Sequence, residues 1–392
     1  MRADVVVVGA GVVGAACAEA LSAAGLRVTV LDRGGPASGT TSAGEGNVLV
    51  SDKEPGPELE LAKASRHRWP ELLAELREEL GAELAEAEWE PKGGLVVATT
   101  EAGIAPLSAF AAAQRSAGVL AEEIGPAAAA ELEPHLTSAV TAAVYYPEDA
   151  QLQPVLATTA LLAAVRARGG TVHSGLSALG VSTDARGAVT GVRTSRGVLP
   201  CGAVLNACGP WAGEFAAAAG APITILPRRG QVLVTAPLPE SVRHKVYDAD
   251  YVGAVGSGDA DLRTSTVVES TRAGTVLIGS SRQRAGFDET VHVDVLAELA
   301  RKAVALFPIL ADVGVMRAYG GFRPYAPDHL PVLGADPRLP GLWHATGHEG
   351  AGIGLAAATG RLVADLFLGR ESFMDATPFR VGRPAVLGKV PA

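Results

Sequence analysis

The sequence predicts an α/β protein organised around a doubly wound, Rossmann-like sheet. Three observations lead there. Val5-Val6-Val7-Val8 is a β-branched run at the amino terminus, Gly9-Ala10-Gly11-Val12-Val13-Gly14 follows it directly, and Asp32 closes a second apolar strand. Consecutive valines read as a strand buried on both faces, the character of a parallel sheet. In the glycine run, Gly9 allows a tight turn and Gly11 lets backbone approach a pyrophosphate. Gly14 lets the following helix, read over 15–23, pack close to the strand. The helix amino terminus offers unpaired N–H groups to an anion, and Val12 and Val13, within the glycine run, are candidate cofactor contacts. Gly25 ends the helix and 27–31 reads as the second strand. Asp32 falls 18 residues after Gly14, where an acid can accept hydrogen bonds from ribose hydroxyls. These residues specify a dinucleotide site and leave FAD and NAD open.

The next segment narrows that choice. Residues 34–47 form a small, hydroxyl-rich loop, longer than a βα connection needs. A nicotinamide enzyme would place a third strand soon after, yet 58–80 reads as a long charged amphipathic helix. The order favours a flavoprotein whose loop wraps the pyrophosphate. Farther on, strands are expected at 93–98, 203–207 and 342–345, and helices at 104–117, 127–131, 154–168, 294–307 and 352–368. Strands alternate with turns over 170–198, and 223–317 is mostly strand-like. Tyr145-Tyr146 opens a short segment leading to Pro154, and the acidic run over 71–90 reads as a solvated helix face.

Composition sets the remaining bounds. The chain has 392 residues, 48% hydrophobic and 19% charged, with 47 Gly and 25 Pro, a globular profile rather than a disordered one. A net charge of −9 gives no basic field for a phosphate backbone, so no nucleic-acid partner is expected. Cys17, Cys201 and Cys208 form no CxxC pair, which argues against zinc or a cysteine-ligated cluster and fits a cytoplasmic location. A secretory signal is the alternative reading of the amino terminus, but Asp4 and the spaced glycines count against it. No transmembrane segment is expected.

Four segments together resemble the D-amino-acid oxidase family of FAD-dependent amine oxidoreductases, which includes glycine and sarcosine oxidases. They are VVVVGAGVVG with Asp32, NACGPWAG at 206–213, GGFRPYAPDHLPVLG at 320–334 and GHEGAGIGLAAATG at 347–360. The stretch at 42–62 and the GHEGAGIG turn look most like the FAD-bearing subunits of opine oxidases, hydroxyproline and proline dehydrogenases and hydrogen cyanide synthase. The resemblance implies a doubly wound FAD-binding (Rossmann-like) domain, residues 1–88, 143–222 and 318–392. It implies an inserted antiparallel-sheet α+β substrate domain, residues 89–142 and 223–317. It further implies oxidation of a small amino acid or secondary amine, with hydride passing from Cα–H to flavin N5 and the imine then hydrolysing. Partner subunits carrying electron-relay centres would receive the electrons. A stand-alone oxidase making hydrogen peroxide is the first alternative, a non-catalytic flavin scaffold the second, and a nicotinamide dehydrogenase a third.

Site residues follow from both lines. Arg323, in GFRPYAPD, matches the family's substrate-carboxylate arginine, and a guanidinium suits a carboxylate because its planar fork pairs bidentately; a surface or domain-bridging arginine is the alternative. The 347–353 turn, with Gly347, Gly350, Gly352 and Ile353, would face the flavin edge that gains negative charge. His348 stands beside it as a catalytic candidate or as a hydrogen-bonded structural histidine, and Glu349 is a lesser candidate. Gly350 departs from glycine oxidase-like members, which carry arginine there. The remaining cofactor contacts implied are Arg33, Thr40, Thr41, Ser42, Gly46, Asn47, Ala178, Gly209 and Trp211. No cysteine follows Cys208 and no histidine lies in 34–50, so FAD is expected to be non-covalent. His344 and His348 are spaced i, i+4, but Gly347 intervenes, and no metal is expected. Tyr247 and Tyr251 fall in a Gly/Asp-rich stretch that reads as an exposed loop.

Overall fold

The structure, a computed structural model, describes residues 2–249 and 261–388; Tyr251 lies outside them. The amino-terminal strand, Ala3–Val8, sits at the middle of an eight-stranded sheet. Its neighbours, Val28–Leu31 and Gly197–Asn206, both run parallel to it. Thr171–His173 and Leu342–Thr346 extend the parallel set on either side, and Val332–Ala335 adds an antiparallel edge. The third strand in space is thus Thr171–His173, delivered from far along the chain, which is why 33–80 holds no such strand and instead contains the helix Pro57–Leu80. A hairpin of Ala178–Thr183 and Val189–Thr194 hangs from Gly197–Asn206.

A second eight-stranded sheet is built from Gly94–Ala98, Glu122–Ile124, Ala142–Tyr146, Leu226–Thr235, Lys245–Asp248, Arg263–Ser270, Val276–Arg282 and Val315–Tyr325. It is antiparallel apart from one parallel pairing, Lys245–Asp248 with Gly94–Ala98. The helix Val293–Leu306 covers one face through Val295, Leu299 and Ala303. One expectation changes here, that of Tyr247, and two strands cross positions singled out from the sequence. Boundaries at 143 and 318 each fall inside a strand of this sheet, because pairing with Gly94–Ala98 and with Leu226–Thr235 claims those residues. Tyr145-Tyr146 therefore ends the strand Ala142–Tyr146, and the segment leading to Pro154 follows it. Tyr247 is fully buried in Lys245–Asp248 rather than exposed, its ring packed among core residues that include Val96 and Val267.

Helices Val12–Ala23, Pro154–Ala167, Gly352–Phe367 and Pro57–Leu80 stack together on the first sheet. Small residues set their spacing. A Cβ at Gly14 would stand 2.1 Å from the Gly9 carbonyl oxygen, and one at Gly360 would stand 2.4 Å from that of Ala16. The run Ala15-Ala16-Cys17-Ala18 is buried in this contact. Trp69, itself buried, donates its indole N–H to the Ile353 carbonyl at 3.0 Å and so ties the long charged helix to the start of Gly352–Phe367. The segment Glu349–Phe367 is long and apolar enough to cross a membrane, but 61% of it is buried in this core.

The contact at Gly360 yields a test. Gly360→Ala must push two helix backbones apart and is expected to cost about 1–3 kcal/mol, whereas Gly382→Ala, with nothing within 4 Å, should stay within about 0.5 kcal/mol. Denaturant midpoints of the two variants measure the difference.

Candidate active site

Between the two sheets lies a cleft of about 960 Å³, near the upper end of the ~300–1,000 Å³ typical of cofactor sites. One end is formed by the glycine turn. Gly9 has φ +110°, and a Cβ there would lie 2.3 Å from the Ala207 carbonyl oxygen. Asp32 reaches back at the end of its strand, Oδ2 accepting from the Ala10 N–H at 2.8 Å and Oδ1 from that of Gly34 at 2.7 Å. It therefore fixes the turn as well as lining the cleft. Thr41 Oγ1 accepts the Val12 N–H at 3.0 Å, and Thr40 Oγ1 donates to the Phe322 carbonyl at 2.6 Å, so the 34–44 loop joins the glycine turn to the second sheet. The Arg33 guanidinium sits 4.0 Å from the Trp211 ring centroid, and the Phe287 ring stacks on Trp211 with centroids 5.2 Å apart.

The turn before Gly352–Phe367 forms one wall. Gly350, Gly352 and Ile353 line the cleft, presenting the positive end of the helix dipole. His348 is buried against it. Its Nε2 lies 3.1 Å from Thr359 Oγ1, while Nδ1 has no hydrogen-bond partner among the described residues. Burial pushes its pKa down to about 3, so the ring is neutral at ordinary pH. Glu349, at φ +45°, turns toward Arg228, with Oε2 3.1 Å from Arg228 Nη1 and Oε1 2.9 Å from His329 Nδ1. Arg228 is 1% exposed, so removing either acid or base would strand a buried charge.

The far end belongs to the second sheet. Arg323, on Val315–Tyr325, lies across Gly230 of the adjacent strand, where a Cβ would come within 2.3 Å of its Nη1. Its Nη1 donates to the Ser281 carbonyl at 2.9 Å. A Cβ at Gly350 would stand 3.3 Å from Arg323 Nε, so the small residue at 350 and the arginine at 323 fit as a pair. Below, the segment 50–53 is held by Asp149, which accepts from the Val50 N–H at 2.9 Å and from the Ser51 hydroxyl; Tyr247 donates to Ser51 Oγ at 2.6 Å. Burial raises the Asp149 pKa to about 6. Asp52 and Lys53, paired at 2.6 Å, reach the cleft from this segment.

Of the residues singled out from the sequence, Gly9, Gly11, Val12, Val13, Gly14, Asp32, Arg33, Thr40, Thr41, Gly46, Asn47, Ala178, Gly209, Trp211, Arg323, His348, Gly350, Gly352 and Ile353 line this one cleft. Two do not. Ser42 is exposed, donates to the Gly39 carbonyl at 3.0 Å and lines a smaller pocket of about 250 Å³. Gly347 is buried behind the wall near Ala326, Ile225 and Val332. His344 is a core residue between Asn206 and Asp336, 3.2 Å from each. Among the described residues no His/Cys/Asp/Glu group is arranged to hold a metal, and the three cysteines are free. Unforeseen were Glu45, Arg282 and the partnering of Glu349 with Arg228, which depend on contacts between distant segments that no local pattern announces.

An adenine dinucleotide fits these residues. The glycine turn supplies a cradle no side chain fills, Asp32 and the helix amino terminus suit ribose and pyrophosphate, and the buried His348 Nδ1, unpartnered among the described residues, provides a polar atom at the cleft wall. The FAD dependent oxidoreductase family, DAO, matches residues 4–366. Glycine oxidase of Geobacillus kaustophilus is 31% identical, with 99% of this chain and 98% of that protein covered. Hydrogen cyanide synthase subunit HcnC of Pseudomonas aeruginosa is 29% identical, covering 97% and 96%. The crystal structure of the Geobacillus kaustophilus glycine oxidase superposes with a TM-score of 0.88 at 28% identity, covering 97% of this chain and 99% of that one.

Burial of His348 has a measurable consequence. Its folded-state pKa, about 3, lies below the unfolded value of about 6.5. The unfolded chain therefore binds the extra proton first as pH falls, and the stability His348 contributes is full above about pH 6.5 and lost progressively below it. His348→Gln, which does not titrate, should flatten the fall in unfolding free energy between pH 6.5 and 4; equal slopes in both proteins would contradict the neutral buried ring.

Proposed function

The chain belongs to the DAO family of FAD-dependent oxidoreductases, and on that footing we propose that it oxidises a small amino acid or secondary amine held by Arg323 and passes the electrons to a partner protein. FAD-dependent amine oxidation is the activity of the family to which it is assigned. The observation that carries the proposal is that Arg323 and the glycine cradle line a single cleft. A carboxylate anchored at one end is thereby set in the same space as the cofactor.

Bound FAD supplies the two-electron acceptor. Arg323 binds and orients the substrate carboxylate through its paired N–H groups, which converts an encounter into a fixed geometry. The amine must reach the site neutral, so its proton leaves to solvent before the Cα–H bond breaks. Loss of hydride from Cα leaves a protonated imine, which water hydrolyses to a carbonyl compound and ammonium or, from a secondary amine, a protonated primary amine. Neutral His348 puts no full charge beside the reacting atoms, and the amino-terminal dipole of Gly352–Phe367 favours negative charge at the cleft wall.

Likeness to a subunit of hydrogen cyanide synthase across nearly the whole chain supports transfer to a partner. Likeness of the same extent to glycine oxidases supports the second reading, direct reaction with oxygen. The rate at which air restores the colour of substrate-reduced protein separates them: minutes or longer for a partner-linked dehydrogenase, and turnover rate for an oxidase. For the chemical step, anaerobic addition of the right amine should bleach the flavin. Arg323→Met should lower kcat/KM by at least about 30-fold, the loss of one buried charge pair of roughly 2 kcal/mol or more, with flavin still bound, and Arg323→Lys should recover part of it. A flavin that no amine bleaches would contradict the proposal.

A further inference from the structure

A loop of the second sheet crosses to the first at the dinucleotide end of the cleft. It occupies residues 283–292, between the strand Val276–Arg282 and the helix Val293–Leu306. One side chain holds most of it. Arg229, on Leu226–Thr235 and 5% exposed, donates from Nη2 to Gln283 Oε1 at 2.8 Å and from Nη1 to Asp288 Oδ2 at 2.8 Å. The same Nη1 reaches the carbonyls of Asp288 and Thr290 at 3.2 and 3.4 Å. The backbones of Arg229 and Gln283 exchange two further hydrogen bonds, at 2.8 and 3.0 Å. At the far end the His292 N–H donates to Gln231 Oε1 at 2.8 Å. Both ends are fixed, and the turn at Gly286, φ +61°, carries Phe287 between them.

Phe287 is 37% exposed and belongs to the hydrophobic core of neither sheet. Its ring stacks on Trp211, with centroids 5.2 Å apart and planes 5° from parallel, and meets Phe322 edge-on at 5.3 Å. Trp211 follows the first-sheet strand Gly197–Asn206 and lines the cleft. A Cβ at Gly39 would touch its ring at 3.4 Å, and the guanidinium of Arg33, beside the ribose acid Asp32, lies 4.0 Å from its centroid. Glu289, two residues beyond Phe287, lines the cleft itself. An exposed ring stacked from one sheet onto the other contributes little to either core. What it closes is the gap between them.

We propose that residues 283–292 are a strap over the dinucleotide end of the cleft, and that the Phe287–Trp211 stack is the latch that retains FAD. Phe287 is then a positioning residue that acts on the cofactor through Trp211. With Gln283, Asp288, Thr290 and His292 pinned, release requires the stack to part, so the aromatic pair adds directly to the barrier for cofactor loss. The inference rests on the cofactor of the family and on neither the amine nor the electron acceptor.

The test follows FAD leaving the loaded protein with no amine present, so its outcome is separate from that of the oxidation reading. Holoprotein is diluted and ultrafiltered at intervals, and flavin absorbance in the filtrate gives the release rate. Phe287→Ala should speed release at least about threefold, the worth of one aromatic pair. Phe287→Tyr should keep the parent rate, and Phe287→Leu, which fills space without a ring, should recover less. In a double-mutant cycle, Phe287→Ala should add little to the effect of Trp211→Leu. Val293→Ala, at a position 74% exposed on the next helix, should release at the parent rate. Far-UV circular dichroism at saturating FAD shows that each variant is folded. Release at the parent rate from Phe287→Ala, full additivity in the cycle, or equal recovery by leucine and tyrosine would overturn the proposal. So would flavin that stays on the chain after acid denaturation.

Discussion

Backbone touching backbone at Gly14 and Gly360 is the constraint on which the molecule depends. The first seats the helix Val12–Ala23 against the turn at Gly9, and the second lets Gly352–Phe367 pack beside that helix. Two helix amino termini are thereby brought to the same cleft. Packing at van der Waals distance leaves no room for a methyl group, so the positions of these dipoles are set by sterics and not by side-chain choice. Hydrophobic burial by the small residues between them, Ala15, Ala16, Ala356 and Ala357 among them, holds the arrangement.

The same device recurs on the substrate side. Absence of a side chain at Gly230 and Gly350 gives Arg323 its course across the sheet, and the hydroxyl of Thr40 and the methyl of Ala43 fix the loop from the first sheet against Phe322 and Gly321. Charge inside the cleft walls is paired where it is buried: Glu349 with Arg228, Asp52 with Lys53. Those pairs keep the wall polar without leaving isolated ions, which would be costly in so enclosed a space. Neutrality of His348 follows from burial alone and completes a wall whose main electrostatic feature is the helix terminus.

How much of this the sequence reveals depends on the range of each signal. The strand, glycines and acid at 5–32 act within one βαβ unit, so their spacing specifies the cradle, and strand–helix order through 80 follows from it. Arg323 and the 347–353 turn were legible through family resemblance, since nothing in GFRPYAPD itself says which strand lies beside it. Tyr247 was misread because the Gly and Asp residues after it mask a strand that pairs with Gly94–Ala98, some 150 residues earlier (97 to 248). Strands run across 143 and 318 for the same reason: their partners lie in distant segments. Glu45 and Arg282 come to line one cleft only after both sheets have closed on the loop. Ser42 and Gly347 turn away from the cleft, Ser42 toward the Gly39 carbonyl and Gly347 against Ala326, Ile225 and Val332.

The central claim is that Arg323 and the glycine cradle serve one ligand pair, cofactor and substrate, in a single cleft. A crystal structure of the FAD-bound protein with a non-oxidisable amino-acid analogue tests it most directly. The account predicts that the pyrophosphate lies at the Gly9–Gly14 turn and the analogue's carboxylate within hydrogen-bond distance of the Arg323 guanidinium, with the flavin ring between Gly352 and the second sheet. A flavin ring directed away from Arg323, or an analogue held elsewhere with Arg323 untouched, would contradict it.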